Sequence, residues 1–144
     1  MARLQIFLAA LWWGSLTVVG FMVVPMLFVH LETPAIAGQM AAKLFSVQTW
    51  LAVACGVLSL LAAKRQNLSQ AHAPSPWVIA GMLLALLIEL AVKPHIMARD
   101  NLALWHNLGS AFYVLQWLCA GKVLWSLCPA SSEPAIAAGP VQTD

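Results

Sequence analysis

Charge is what this sequence has least of. Seven Lys+Arg and five Asp+Glu make up 8% of its 144 residues, where a soluble globular domain carries about 25%. That shortage excludes an ordinary soluble enzyme, and the formal charge of +2 is too small and too dispersed to make nucleic acid a partner. Cysteine is scarce too: Cys55, Cys119 and Cys128 form no CxxC or Cys/His zinc spacing. Cys119 and Cys128 project to opposite sides of one helix, so they cannot pair with each other. No internal repeat of about 20–50 residues is visible. There is no HExxH, no Gly-rich phosphate loop and no nucleophile–base pair. Enzymatic catalysis therefore has no support in the residues, and no cofactor is expected.

What the sequence does have is apolar bulk. It is 62% hydrophobic with seven Trp and five Phe, and its mean hydropathy is +0.84. Such a composition excludes a disordered chain and makes the lipid bilayer the solvent. Charges are absent between Arg3 and Glu32, Lys43 and Lys64, Arg65 and Glu89, and Asp100 and Lys122. Each gap is long enough for one helical crossing, which takes roughly 20 residues. The third gap includes the polar, proline-bearing stretch Gln66–Pro76 and leaves the shortest apolar run. The expectation is an all-α integral membrane four-helix bundle over residues 1–128, with helices at about 4–29, 35–63, 77–92 and 102–127. The runs are continuously apolar and lack the alternation of a membrane β-barrel. Residues 129–144, with three prolines among small residues, are expected to form a disordered tail.

The first apolar stretch exceeds a signal-peptide core of about 7–15 residues, so helix one is expected to stay despite the Ala35-Ile36-Ala37 cleavage-like triplet. Four crossings put both termini on one side. With that side cytoplasmic, Arg3, Lys64, Arg65 and Lys122 lie inside and Lys43, Lys93 and Arg99 outside. The adjacent Lys64-Arg65 pair decides in favour of cytoplasmic termini. A bacterial inner membrane is the expected location. Ala10/Gly14, Ala52/Gly56 and Gly81/Ala85 have the small-xxx-small spacing that lets membrane helices approach closely.

Polar residues gather toward the outward end: His30 and Glu32 after helix one, Glu89 and Lys93 on helix three, and His95, Arg99, Asp100 and His106 beyond. Glu89 and Lys93 have ion-pair spacing, and a carboxylate one turn inside the interface is costly unless paired or wet. On helix four His106, Ser110, Tyr113 and Trp117 share one stripe, with Gln116 beside it. Buried hydroxyls and imidazoles need partners, so the stripe should face the bundle. Glu89, Lys93, Arg99, Asp100, His106, Ser110 and Tyr113 are the ligand-binding candidates. The alternative is that these groups only lock helices together or snorkel to the headgroups. Helix two has a wet end of its own in Gln39, Lys43, Ser46 and Trp50. No metal site is expected. Met22 and Met26 with His30 and His106 are the weaker soft-metal candidates, and His30 with His106 the weaker pair for axial haem ligation.

Trp13-Gly14, Pro25 with Leu27-Phe28, Ala37-Gly38, Leu44-Phe45, Pro94 with Met97, and His106 with Ser110 resemble the domain-of-unknown-function membrane family that includes animal transmembrane protein 205. The resemblance covers roughly Leu11 to Leu127. It implies a four-helix integral membrane protein and no established biochemical activity, although animal members are associated with drug resistance and vesicle traffic. Ser46 departs from the proline or aromatic residue of the animal pattern, and the connection between helices three and four is shorter here. The resemblance directs attention to Trp13, Gly14, Pro25, Phe28, Gly38, Phe45 and Pro94 as structural positions. Pro25 is expected to kink or end helix one, and a kink beside His106 would open a small cavity. The leading expectation is a non-enzymatic module that binds or passes a small polar or cationic ligand. The competing one is a structural or accessory subunit, with haem b or copper binding a lower third. Four short spans enclose little interior, so transport would call for a homo-oligomer or a membrane partner protein.

Overall fold

The computed structural model describes residues 2–64 and 75–128. The tail at 129–144 lies outside the described residues, as does most of the Gln66–Pro76 stretch. All regular structure among the described residues is helical, arranged as four rods. The first rod is α1 (Ala2–Val18), a π-helical turn π1 (Val19–Val23) and α2 (Val24–His30). The second is a single helix, α3 (Pro34–Lys64). The third is α4 (Ser75–Leu87), a second π turn π2 (Ile88–Val92) and α5 (Lys93–Met97), and the fourth is α6 (Leu102–Leu127).

The two π turns have one cause. Pro25 and Pro94 each lack an N–H, and each ring would clash with the carbonyl four residues back, on Phe21 and on Leu90. Widening the preceding turn removes the clash. Val24 N–H then bonds to the Val19 carbonyl, and Lys93 N–H to the Ile88 carbonyl, each one residue further back than in an α-helix. Neither rod ends at its proline: the first continues to His30 and the third to Met97, past the Val92 expected from the apolar run.

Short connections turn the rods back on themselves. Leu31 is extended after α2, and the Thr33 hydroxyl accepts the Ile36 N–H at 3.3 Å, capping α3, whose first residue is Pro34. Between α5 and α6, Arg99 and Asn101 take left-handed backbone angles, φ 56° and 41°. The result is two antiparallel hairpins packed side by side, with α1 against α3 and α6, and α4 against α3 and α6.

The bundle is apolar outside, and inside it mixes small and polar residues with a few large ones such as Trp12 and Leu16. Phe7, Val47, Leu83 and Leu90 are exposed, whereas Gln48, Thr49, Ser59 and Gln116 are buried among Ala52, Ala85 and Ala120. Water would reverse that arrangement; lipid tails accept it, leaving close van der Waals approach and interhelical hydrogen bonds to hold the rods. Trp12 is inserted where Gly81 leaves room: a Cβ on Gly81 would lie 2.7 Å from the indole. Gly121 receives Trp13, which stacks on Trp117 at 5.5 Å. Gly56 receives Met82. Ala52/Gly56 and Gly81/Ala85 are thus packing faces, but Ala10/Gly14 is not. Ala10 is exposed and a Cβ on Gly14 would meet nothing, because Trp12 and Leu16 hold the inward face of that helix. Cys55 and Cys119 are free and buried, and Cys128 is free and exposed.

Three rods are long and apolar enough to cross a bilayer: Arg3–His30, Pro34–Lys64 and Pro76–Met97. Four crossings were expected. The fourth rod is long enough, but His106, Asn107, Gln116 and Lys122 dilute its apolarity, and it enters the bundle by packing against its neighbours.

Candidate functional site

At the end of the bundle where the two short connections lie, the rods stand apart around a cavity of about 350 Å³. Each rod contributes one helical stripe. From the first come Gly20, Phe21, Val24 and Phe28, and from the second Gly38, Ala41, Ala42 and Phe45. The third gives Ile88, Glu89, Val92, Lys93, Ile96 and Met97, and the fourth His106, Gly109, Ser110, Tyr113 and Val114. From His106 to Tyr113 the cavity runs inward about 10 Å at 1.5 Å per helical residue. Both π turns form its walls, so the two prolines shape it: each widened turn displaces a stripe of side chains from regular α-helical register.

Deep in the cavity, Phe45 and Tyr113 meet edge to face at 5.2 Å. The Tyr113 ring lies flush on Gly20, where a Cβ would overlap it, and its hydroxyl donates to the Leu16 carbonyl at 2.8 Å. One turn further along α6, Trp117 Nε1 donates to Thr17 Oγ1 at 2.8 Å. The inner half of the polar stripe on α6 therefore faces the first rod, and Gln116 is buried at 2% exposure. The outer half behaves differently. His106 and Ser110 are exposed on the cavity wall, and the Ser110 hydroxyl donates to the His106 carbonyl of its own helix at 2.9 Å.

The one ion pair of a lysine or arginine with a carboxylate among the described residues stands on the opposite wall. Lys93 Nζ donates to Glu89 Oε1 at 2.6 Å and to Ser46 Oγ at 2.5 Å. Ser46 Oγ lies 3.1 and 3.0 Å from the two Glu89 oxygens and 3.0 Å from the Ala42 carbonyl. A single hydroxyl proton serves one of these acceptors at a time. The carboxylate is the more enclosed partner, its side chain 14% exposed against 34% for Lys93. This cluster joins the two hairpins, and on its far side lies a second groove of about 330 Å³, lined by Gln39, Ala42, Lys43, Ser46, Lys93 and Met97.

The sequence candidates therefore separate. Glu89, Lys93, His106, Ser110 and Tyr113 share one cavity with Phe28, Gly38 and Phe45. Pro25 and Pro94 follow its π turns. Trp13 stacks in the packed half, and Gly14 faces outward. Arg99 and Asp100 lie outside the cavity, exposed in the connection, where Asp100 approaches His95 at 3.5 Å and His95 stacks on Trp105 at 4.0 Å. His30 is exposed, its Nδ1 at 3.0 Å from the Met26 carbonyl, and Met22 and Met26 are exposed as well. No group of three or more His, Cys, Asp or Glu able to hold a metal occurs among the described residues. Ser46 belongs to the ion-pair cluster, a role that its place in the sequence does not show. Its spacing from Gln39 and Lys43 marked a polar face on α3, but only the pairing of α3 with the third rod brings that face to Glu89.

These features define a helical membrane protein with a lined cavity at one end of its bundle. The chain belongs to the family described as Domain of unknown function (DUF4149), whose model matches residues 7–103. No curated protein and no solved structure gives a match. The matched segment takes in the first rod from Phe7, the second and third rods, both π turns and Glu89, Lys93 and Ser46, and it stops at the start of α6.

Proposed function

We propose that this protein is a non-enzymatic small-ligand binding or transport-accessory module, and that the cavity between the hairpins is its binding site. The observation that carries this reading is the Glu89–Lys93–Ser46 cluster on the wall of an open cavity, where packing of the rods alone would favour a filled interior. Because Lys93 already balances Glu89, the site favours a mainly apolar molecule with one polar end over a bare cation. The finer placement among relatives of animal transmembrane protein 205 rests on Trp13-Gly14, Pro25, Gly38, Phe45 and Pro94. A bacterial inner membrane with cytoplasmic termini is the location we favour, supported by the adjacent basic pair Lys64-Arg65 in the sequence.

Mild-detergent purification followed by native mass spectrometry tests the reading. The chain is expected to retain a small molecule that collisional activation releases, and Glu89→Gln to retain less of it while remaining folded. A chain without adduct, whose Glu89→Gln variant loses only thermal stability, supports the second reading, a structural or accessory subunit. That reading draws on the bonds that tie rods together, Trp117 to Thr17, Tyr113 to Leu16 and Gln48 to Ser15. An ultraviolet–visible spectrum and elemental analysis of the same sample address haem or copper, for which His30 and His106, with Met22 and Met26 for copper, would be the ligands.

A further inference from the structure

The cavity and the groove beside it differ in chemistry and share Ala42, Lys93 and Met97. The cavity is lined mainly by apolar side chains. The groove presents two ammonium groups, Lys43 and Lys93, with Gln39 and Ser46, and no carboxylate lines it. Glu89 neutralises Lys93 from the cavity side. Lys43 is exposed and has no ion-pair partner among the described residues, so the groove keeps an uncompensated positive charge. It lies toward the outer ends of α3 and the third rod, Lys43 a few turns from Pro34 and Lys93 one turn from Met97. That is the depth at which lysines reach the headgroups of a bilayer.

From this juxtaposition we infer that the site takes an anionic membrane lipid, with an acyl chain in the cavity and the phosphate in the groove between Lys43 and Lys93. The inference rests on the cavity being a binding site, as proposed above. Apolar walls match the chain, and the unbalanced lysine matches the phosphate. Ser46 and Gln39 add hydrogen-bonding groups beside it. Lipid rather than a soluble phosphate is the occupant because the polar groove alone offers only side chains already partly wet, whereas the chain compartment is where water is displaced from apolar surface.

Phosphatidylglycerol and phosphatidylcholine of identical acyl chains, titrated into delipidated protein in mild detergent, test it by the shift in thermal midpoint. Such a shift reports affinity by mass action. Phosphatidylglycerol is expected to stabilise more than phosphatidylcholine, and Lys43→Gln to weaken the phosphatidylglycerol response about fivefold and the phosphatidylcholine response less, since the choline cation offsets its own phosphate. Gly38→Leu is the chain-compartment control. Gly38 lines the cavity and a Cβ there meets nothing within 4 Å, so the larger leucine side chain is expected to take up cavity space and abolish both responses. Equal responses to the two lipids, both lost in Gly38→Leu, would overturn the anionic choice and leave the cavity reading standing. Responses that survive Gly38→Leu would overturn both. Binding of glycerol phosphate without chains, competing with phosphatidylglycerol, would reassign the groove to a soluble phosphate and overturn the lipid.

Discussion

Removing Lys93 should cost more than removing Glu89, although each change breaks the same ion pair. Lys93→Met leaves the Glu89 carboxylate, 14% exposed, with only the Ser46 hydroxyl beside it. An enclosed charge without its partner costs about 2–4 kcal/mol once the partial exposure of the pair is allowed for. Glu89→Gln leaves an ammonium that is 34% exposed on a flexible stem, still bonded to Ser46 and able to turn toward the headgroups. That change should cost about 1 kcal/mol, the worth of an ordinary hydrogen bond. The double variant Glu89→Gln with Lys93→Met holds no charge at the site, so it should be less destabilised than Lys93→Met alone. Reversible unfolding in mixed micelles, with dodecyl sulfate as denaturant, measures all three. The reasoning fails if Lys93→Met costs no more than Glu89→Gln, or if the double variant costs as much as the two singles added, since contacting groups should not be additive.

Other expectations come from the same packing. Gly81→Ala should destabilise by about 1–3 kcal/mol through overpacking against Trp12, whereas Gly14→Ala, whose Cβ meets nothing, should stabilise by about 0.5–1 kcal/mol through helix propensity; the same unfolding assay reads both. Gly20→Ala should be harmful beside Tyr113 and close to neutral beside Tyr113→Ala, a coupling that a double-mutant cycle resolves. Gln116 Nε2 is buried without a hydrogen-bond partner among the described residues, so Gln116→Met should be neutral or stabilising by about 1 kcal/mol, and a loss above that would reveal a partner.

The rods were legible because charge is so sparse: the gaps from Arg3 to Glu32 and from Asp100 to Lys122 outline helices directly. Apolarity does not show what a proline does inside such a gap. Pro25 reads as a kink or an end, yet it and Pro94 each widen the turn before them and let the helix continue. The Glu89–Lys93 pair was visible as spacing on one helix, but its third member was not, since Ser46 reaches Glu89 only through the packing of α3 on the third rod. Arg99 and Asp100 looked like site residues because they lie near Lys93 along the chain. The structure leaves both exposed in the connection and outside the cavity lining, and nothing in their residue types signals it. Ala10/Gly14 shows the same limit for packing motifs: small residues permit close approach, and neighbouring Trp12 decides which face is used.

The central claim, that the cavity between the hairpins holds a ligand, is tested most directly by native mass spectrometry of wild type and Gly38→Leu purified side by side. A Cβ at this position on the cavity wall meets no neighbour within 4 Å, and leucine in place of glycine strengthens the helix it sits on. The account predicts a retained small molecule on wild type, none on Gly38→Leu, and a variant at least as stable as its parent. Equal retention on both proteins, or a bare wild-type chain under the gentlest conditions that keep it folded, would contradict it.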